Sequence, residues 1–296
     1  MRCILPFLNV ANTIHFVGSA GVVACITDFG SSDYYAGALH GVLSSRLPGT
    51  PVVDITHEIP AGDIRRAAIL LWEAQPSFPD GTVFLVVVDP GVGSARRPAA
   101  FRFPRCSVVC PDNGTTTFLL ERHPEFDAVE IDPRRVTSDP VSSTFHGRDL
   151  FAPAAAILFR EQEVLRLGSA LADPLKLPLP LLRGEPGTGL EGEILYVDHF
   201  GNAVTSIGAI TFHGNEFEPW LHTGAIPGTI PAQAGVVLSD GTVIPFRRTY
   251  SDAKEESGPI ALIGGNGLLE IASWNAPAGA ATALQPGAAV HLKTIS

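Results

Sequence analysis

The sequence predicts an α/β domain followed by a smaller all-β domain. Three observations carry that reading. From Val22 to Phe159, β-type apolar runs alternate with helix-type patterns; a proline- and glycine-rich stretch follows from Leu171 to Leu190; beyond it only short strand-like runs recur. The alternating half implies a mainly parallel sheet, and the strand-rich half a barrel-like or sandwich arrangement. A length of 296 residues accommodates both. The organisation expected is an extension over 1–20, an α/β domain over 21–170, a linker over 171–190 and a β-barrel domain over 191–296.

Taken in order, Val22 to Phe29 is the first strand. Asp33 is placed to cap a helix carrying Leu39, Val42 and Leu43, which stops at Pro48-Gly49. Pro51 to Ile55 is the second strand. A helix from about Asp63 shows Ile64, Ala67, Ala68 and Leu71 at i, i+3, i+4, i+7. Thr82 to Val88 is an uncharged run of β-formers, as an inner strand covered on both faces requires. Further strands are expected at Ala99 to Phe103, Ser107 to Cys110 and Ala128 to Ile131, with helices from Thr115 to Arg122 and from Asp149 to Phe159. The second half offers strands at Gly192 to Val197, Ala203 to Ile207, Gly235 to Leu238, Thr242 to Phe246, Ile260 to Ile263, Leu268 to Ser273 and Ala288 to Leu292. Gly208 to Ala234 reads as a loop insertion.

A formal net charge of -10 argues against nucleic acid, whose phosphates demand clustered Lys and Arg. No apolar run of about 18 residues appears, so no membrane span is expected. The first 20 residues carry Arg2 and a Gly-Ser-Ala, a faint likeness to a secretory signal, but Asn9, Asn12 and His15 interrupt the apolar part. An extension and a cytoplasmic protein are the expectation. Cys3, Cys25, Cys106 and Cys110 have neither disulfide-framework nor zinc-knuckle spacing.

Polar clusters follow several of the strands, where ligands of open α/β sheets bind. Asp28 ends the first, in Thr27-Asp28-Phe29-Gly30, and could hold a ribose diol or a metal or simply shape a turn. His57 ends the second and is read as a loop hydrogen-bonder. Asp89 ends the third, and Arg96 follows across Pro90-Gly91-Val92-Gly93, so that the guanidinium can fold back over the carboxylate. Pro111-Asp112-Asn113-Gly114 is a turn signal. In Ser143-Thr-Phe-His146-Gly-Arg148-Asp149, Asp149 is read as a helix cap with Arg148 its ion-pair partner, while His146 has no structural task. Asp198-His199-Phe200-Gly201-Asn202 offers a carboxylate, an aromatic ring and an amide, or a plain β-turn. No G-x-x-x-x-G-K-[ST], G-x-S-x-G or H-E-x-x-H motif is present.

In this order the motifs TDFGSSDYYAGALHGVL, VVDITHEIPAGDIRRAA, VVVDPGVGSARRP, PDNG, STFHGRDLFAPAAA, VDHFGN and GLLEIA resemble the S-adenosyl-L-methionine hydroxide adenosyltransferase family, formerly a domain of unknown function and related to fluorinating and chlorinating enzymes. The resemblance covers about residues 22–293. It implies a homotrimer with active sites between subunits, in which water or hydroxide attacks C5′ of S-adenosylmethionine to give adenosine and L-methionine, with no metal and no cofactor. It maps a catalytic set onto Asp89, Arg96 and His146, where halogenating relatives carry an aromatic in place of Asp89 and lack the Arg and His. It also implies substrate-binding roles for Asp28 (ribose diol), Asp198 (methionine amino group), Asn202 (adenine edge), and Phe200 and Tyr250 (adenosine). Relatives carry Asn-Ser-Ser/Arg-Gly ahead of the GLLEIA strand. This chain has Gly264-Gly265-Asn266-Gly267, leaving Asn266 or backbone N–H groups for the methionine carboxylate. Ser273-Trp274-Asn275 also departs from the usual small-residue segment. Two other readings stand beside it: a non-catalytic adenosine or S-adenosylmethionine binder, and a metal-dependent nucleotide or phosphoester hydrolase using Asp28, His57, Asp89 and His146.

Overall fold

The computed structural model describes residues 21–185, 189–208, 234–254, 256, 258–275, 278 and 284–294. The extension at 1–20 and almost all of the loop insertion after Gly208 lie outside the described residues.

The first half contains β1 (Val23–Thr27), α1 (Tyr35–Arg46), β2 (Val52–Thr56), α2 (Ile64–Ala74), β3 (Thr82–Val87), β4 (Pro98–Arg102), β5 (Cys106–Pro111), α3 (Thr117–Arg122), β6 (Asp127–Ile131), α4 (Pro133–Val136), α5 (Ala152–Glu161) and β7 (Gly168–Ala170). Its seven strands form one sheet in the order β2-β1-β3-β5-β4-β6-β7. The first four run parallel, while β4, β6 and β7 continue it antiparallel. Alternation along the inner strands sorts side chains to two faces. Val23, Cys25, Val83 and Leu85 pack with Leu39 and Leu43 of α1 and with Ala154, Ala155 and Leu158 of α5. Ala24, Ile26, Phe84 and Val86 pack with Ala68, Leu71 and Trp72 of α2. Each large side chain so buried contributes about 1.5–3 kcal/mol, and the alanines of α5 let that helix lie close on the sheet.

Two local expectations are corrected. Asp33 does not cap α1: the helix starts at Tyr35, with Tyr34 at the N-cap and no side-chain cap bond. Asp149 does not cap α5 either. It sits inside a π-helical turn, Gly147–Phe151, that runs into α5, and its carboxylate takes the Ser142 N–H at 3.0 Å. Asp63 does cap α2, accepting the Arg66 N–H at 2.9 Å.

The second half supplies β8 (Leu182–Glu185), β9 (Gly189–Val197), β10 (Ala203–Thr205), β11 (Ala234–Leu238), β12 (Val243–Pro245), β13 (Ile260–Ile263), β14 (Leu269–Ala272) and β15 (Ala289–Thr294). All pair antiparallel, in the order β12-β11-β15-β9-β10-β14-β13 with β8 on β9. A bridge between Phe246 and Ala261 draws the two end strands together into a nearly closed, barrel-like sheet.

The chain between the two sheets lies along the first. Leu175 N–H donates to Asp112 Oδ1 and Leu177 N–H to Thr117 Oγ1, both at 2.8 Å. Gly114, at φ +97°, leaves room for Leu177, whose Cγ a Cβ at that position would approach to 2.7 Å. Leu195, Val204 and Leu268 of the second sheet join the core around α2. A polar junction seals the contact: Glu73 accepts from Tyr196 OH at 2.8 Å and from Asn266 Nδ2 at 2.8 Å, and Arg66 stacks 3.5 Å over the Tyr196 ring. Burial is the main cause of the raised Glu73 pKa. No described helix is long and apolar enough to cross a membrane.

Candidate active site

Strands β1 and β3 are parallel neighbours with Thr27 opposite Val87, so they release Asp28 and Asp89 at the same sheet edge. One Asp28 oxygen takes the Gly62 N–H at 2.9 Å, leaving the other for a ligand.

The Asp89 carboxylate is gripped by Arg96. Nε lies 3.0 Å from each carboxylate oxygen and Nη2 2.5 Å from Oδ2, with side chains only 6% and 11% exposed. Two successive turns fold the arginine back: Val92 N–H to Asp89 O at 3.2 Å, then Ser94 N–H to Gly91 O at 3.0 Å. Gly93 sits at φ +77°, and a Cβ there would lie 2.6 Å from Ser143 O, so only glycine lets the Ser142–Phe145 loop pack this closely. That packing delivers His146, at the start of the π turn, to Arg96: Nδ1 is 2.6 Å from Nη2. Extra-residue turns of this kind are frequent at functional sites.

The contact fixes the tautomer. Arginine only donates, so Nδ1 is the bare nitrogen and Nε2 carries the proton. Burial and then the Arg96 charge lower the His146 pKa, keeping the ring neutral, against the smaller pull of Asp89 and Asp149. The Phe151 ring lies 5.1 Å beneath the guanidinium. Next to the cluster stands an aromatic wall that the sequence reading did not single out: Phe29, Tyr35 and Phe145 meet at ring separations of 5.3–6.1 Å, and Tyr34 is 65% exposed. Arg148 and Asp149 do form the expected ion pair, Nε to Oδ1 at 2.6 Å.

A second group lies on the barrel. In the β9–β10 turn, Asp198 accepts from Asn202 through N–H at 2.8 Å and Nδ2 at 3.0 Å. Phe200, at the tip, is 78% exposed. These three and Tyr250 line a cavity of about 570 Å³ together with Glu270, Ser273, Trp274 and Asn275. Tyr250 OH donates to Glu270 Oε2 at 2.6 Å. Burial raises the Glu270 pKa, and Asp198 adds to the effect against the Tyr250 hydrogen bond. Gly264 is dictated by Glu270, since a Cβ would sit 1.8 Å from its Oε1. Glu270 escaped notice as a cavity residue because in sequence it belongs to an ordinary apolar strand, whereas Ser273-Trp274-Asn275, where the sequence departs from the usual small residues, does line the cavity.

The structure therefore gathers Asp28, Asp89, Arg96 and His146 at one sheet edge, and Asp198, Phe200, Asn202 and Tyr250 around one cavity. Asn266 joins neither: its Nδ2 is held by Glu73 and its Oδ1 by the Leu268 N–H at 3.0 Å. Among the described residues no hydrogen bond or ion pair links the two groups.

Residues 23–168 match the SAM hydroxide adenosyltransferase N-terminal domain and residues 192–291 the corresponding C-terminal domain. The chain is 38% identical over 274 residues to an (R)-S-adenosyl-L-methionine hydrolase of Thermus thermophilus, spanning 90% of this chain and 97% of that protein. It is 43% identical over 193 residues to a protein of the same name from Salinispora tropica, spanning 61% and 69%. Among solved structures, an uncharacterized conserved protein from Thermotoga maritima superposes with a TM-score of 0.77 at 28% identity, covering 92% of this chain and all of that one.

Proposed function

The chain belongs to the SAM hydroxide adenosyltransferase family, and from that premise we propose that it hydrolyses S-adenosyl-L-methionine at C5′ to adenosine and L-methionine. The observation that carries the reading is the Asp89–Arg96–His146 cluster at the end of β3. Water oxygen bonds to C5′ as the C5′–S bond breaks, and the bond's electron pair stays on sulfur. Methionine leaves as a neutral thioether, so the reaction calls on no acid for the leaving group and no metal. What it calls for is an in-line, partly desolvated nucleophile.

The geometry suggests a division of labour. Arg96 stabilises hydroxide character on the attacking water. His146, with Nδ1 occupied, presents Nε2–H to orient that water. Asp89 is the acceptor left to receive its proton. Asp28 would take the ribose diol through its uncommitted oxygen. Asp198 suits the methionine amino group, Asn202 the adenine edge, and Phe200 and Tyr250 the adenosine rings.

Asp198, Phe200, Asn202 and Tyr250 line a cavity that, among the described residues, no hydrogen bond or ion pair joins to the β3 cluster of the same chain. That separation supports a homotrimer in which one protomer's barrel cavity completes its neighbour's sheet edge. A cytoplasmic setting belongs to the same reading and is supported by three buried unpaired thiols, Cys25, Cys106 and Cys110. Burial pushes Cys25 and Cys106 up to about 12, so they are inert.

Asn266, bound to Glu73, gives a non-catalytic binder its support, because the methionine carboxylate then relies on backbone N–H groups. One experiment separates the two readings. Incubation with S-adenosylmethionine in ¹⁸O-labelled water is expected to place label on the adenosine 5′-oxygen. Intact substrate after prolonged incubation with folded, S-adenosylmethionine-binding protein overturns hydrolysis in favour of binding.

A further inference from the structure

Away from the β3 cluster, on the edge strand of the first sheet, three side chains converge that the proposed reaction does not use. His40 projects from α1, Asp54 from β2 and His57 from the loop that follows. His40 Nε2 lies 2.7 Å from Asp54 Oδ1, and His57 Nε2 lies 3.1 Å from the same oxygen. One ligand atom from each residue falls within 4.8 Å of the other two.

His57 supplies an independent observation. Its side chain is only 9% exposed, and its Nε2 is buried without a hydrogen-bond partner, because the Asp54 oxygen is near but misaligned. The other ring nitrogen, Nδ1, is 2.7 Å from Thr27 Oγ1, which also accepts the Phe29 N–H at 3.2 Å. An Nδ1–H donating to Thr27 leaves the Nε2 lone pair facing the carboxylate. In that tautomer a buried imidazole nitrogen faces a carboxylate oxygen with no proton between them, an opposition that a cation would relieve. A metal-ligating histidine anchored through its second nitrogen has this arrangement.

We infer that His40 Nε2, Asp54 Oδ1 and His57 Nε2 form a site for a divalent transition-metal ion of the zinc class. Two imidazoles and a carboxylate suit such an ion, whereas magnesium prefers all-oxygen shells. Bonds of about 2.0–2.1 Å place tetrahedral ligands about 3.4 Å apart, so each histidine need draw back from Asp54 Oδ1 by less than about 1 Å. His40 and Asp54 are 34% and 41% exposed, which gives the ion an entry path and water a fourth position. The ion would tie α1 to β2 and, through Thr27, to the residue next to Asp28. Its role is to hold the fold; no step of the hydrolysis passes through it.

The test uses the untagged full chain after chelator treatment. Zn²⁺ titration by calorimetry should show one equivalent bound, Co²⁺ should develop the intense visible band of a four-coordinate site, and Mg²⁺ should do neither. His40→Ala and Asp54→Asn, both at partly exposed positions, should retain the fold by circular dichroism and bind Zn²⁺ at least about 100-fold more weakly. Thr27→Val, which removes only the orienting partner, should weaken binding about 10–100-fold. Absence of stoichiometric Zn²⁺ binding, binding unchanged in His40→Ala and Asp54→Asn, or equal binding of Mg²⁺ overturns the inference.

Discussion

Replacing Arg96 with alanine removes three nitrogen–oxygen contacts of 2.5–3.0 Å to Asp89 and the 2.6 Å contact to His146. At about 3 Å and an effective dielectric near 20, the pair's attraction is about 5 kcal/mol. Asp89 is 6% exposed, so the substitution strands a carboxylate that water barely reaches. Breaking a buried pair from one side costs about 3–5 kcal/mol. With a urea slope of about 3 kcal/mol/M for a chain of this size, the unfolding midpoint should fall by about 1–1.7 M. Asp89→Asn/Arg96→Ala removes both charges, so most of that loss should return and the cycle should show strong coupling. In steady-state assays, Arg96→Ala should lower kcat about 10²–10³-fold while KM moves little, since the charge it stabilises develops only in the transition state. A midpoint loss below about 0.3 M, additive single variants, or a raised KM with unchanged kcat would refute the reasoning.

Two further outcomes follow from the barrel and its junction with the first sheet. Phe200→Ala should raise KM about tenfold, the worth of one aromatic contact, and leave the melting temperature unchanged because the ring is 78% exposed; a lower melting temperature with unchanged KM would assign the ring to the fold. Glu73, held above its ordinary 4.5 chiefly by burial, binds its proton more tightly folded than unfolded. The stability it contributes is present below about pH 4.5 and lost as pH rises through its elevated folded value. Glu73→Gln carries no such proton, so urea midpoints at about pH 4 and pH 7 should move in the variant's favour at the higher pH, and a constant gap would contradict the assignment.

Much of this architecture was legible because inner strands must be uncharged. Thr82 to Val88 could hardly be anything else, and its abrupt end at Asp89 announced a charged sheet edge. The Arg96 fold-back was legible too, because two glycines and a proline permit few other paths. What could not be read depends on contacts remote in sequence or on very short elements. Asn266 meets Glu73 across 193 residues, so its place at the junction had no local signature. The reversal at β4 depends on which edge of β5 it takes, and nothing in Pro98–Arg102 says so. β8 is four residues inside a proline-rich stretch. Asp33 and Asp149 had the composition of caps, but neighbouring packing started each helix elsewhere. His40 was one histidine in a helix until the fold set it against Asp54.

The π turn before α5 makes His146 a matter of helical phase. The phase of α5 is locked by its alanine face on the sheet, and each helical residue advances the chain by about 100°. The surplus residue in Gly147–Phe151 therefore swings everything upstream by about that angle. Losing a single residue there would leave Asp89, Arg96 and His146 all present in the sequence, with the imidazole turned away from the guanidinium. A one-residue change in length can thus part His146 from Arg96 while sheet, barrel and cavity stay as they are.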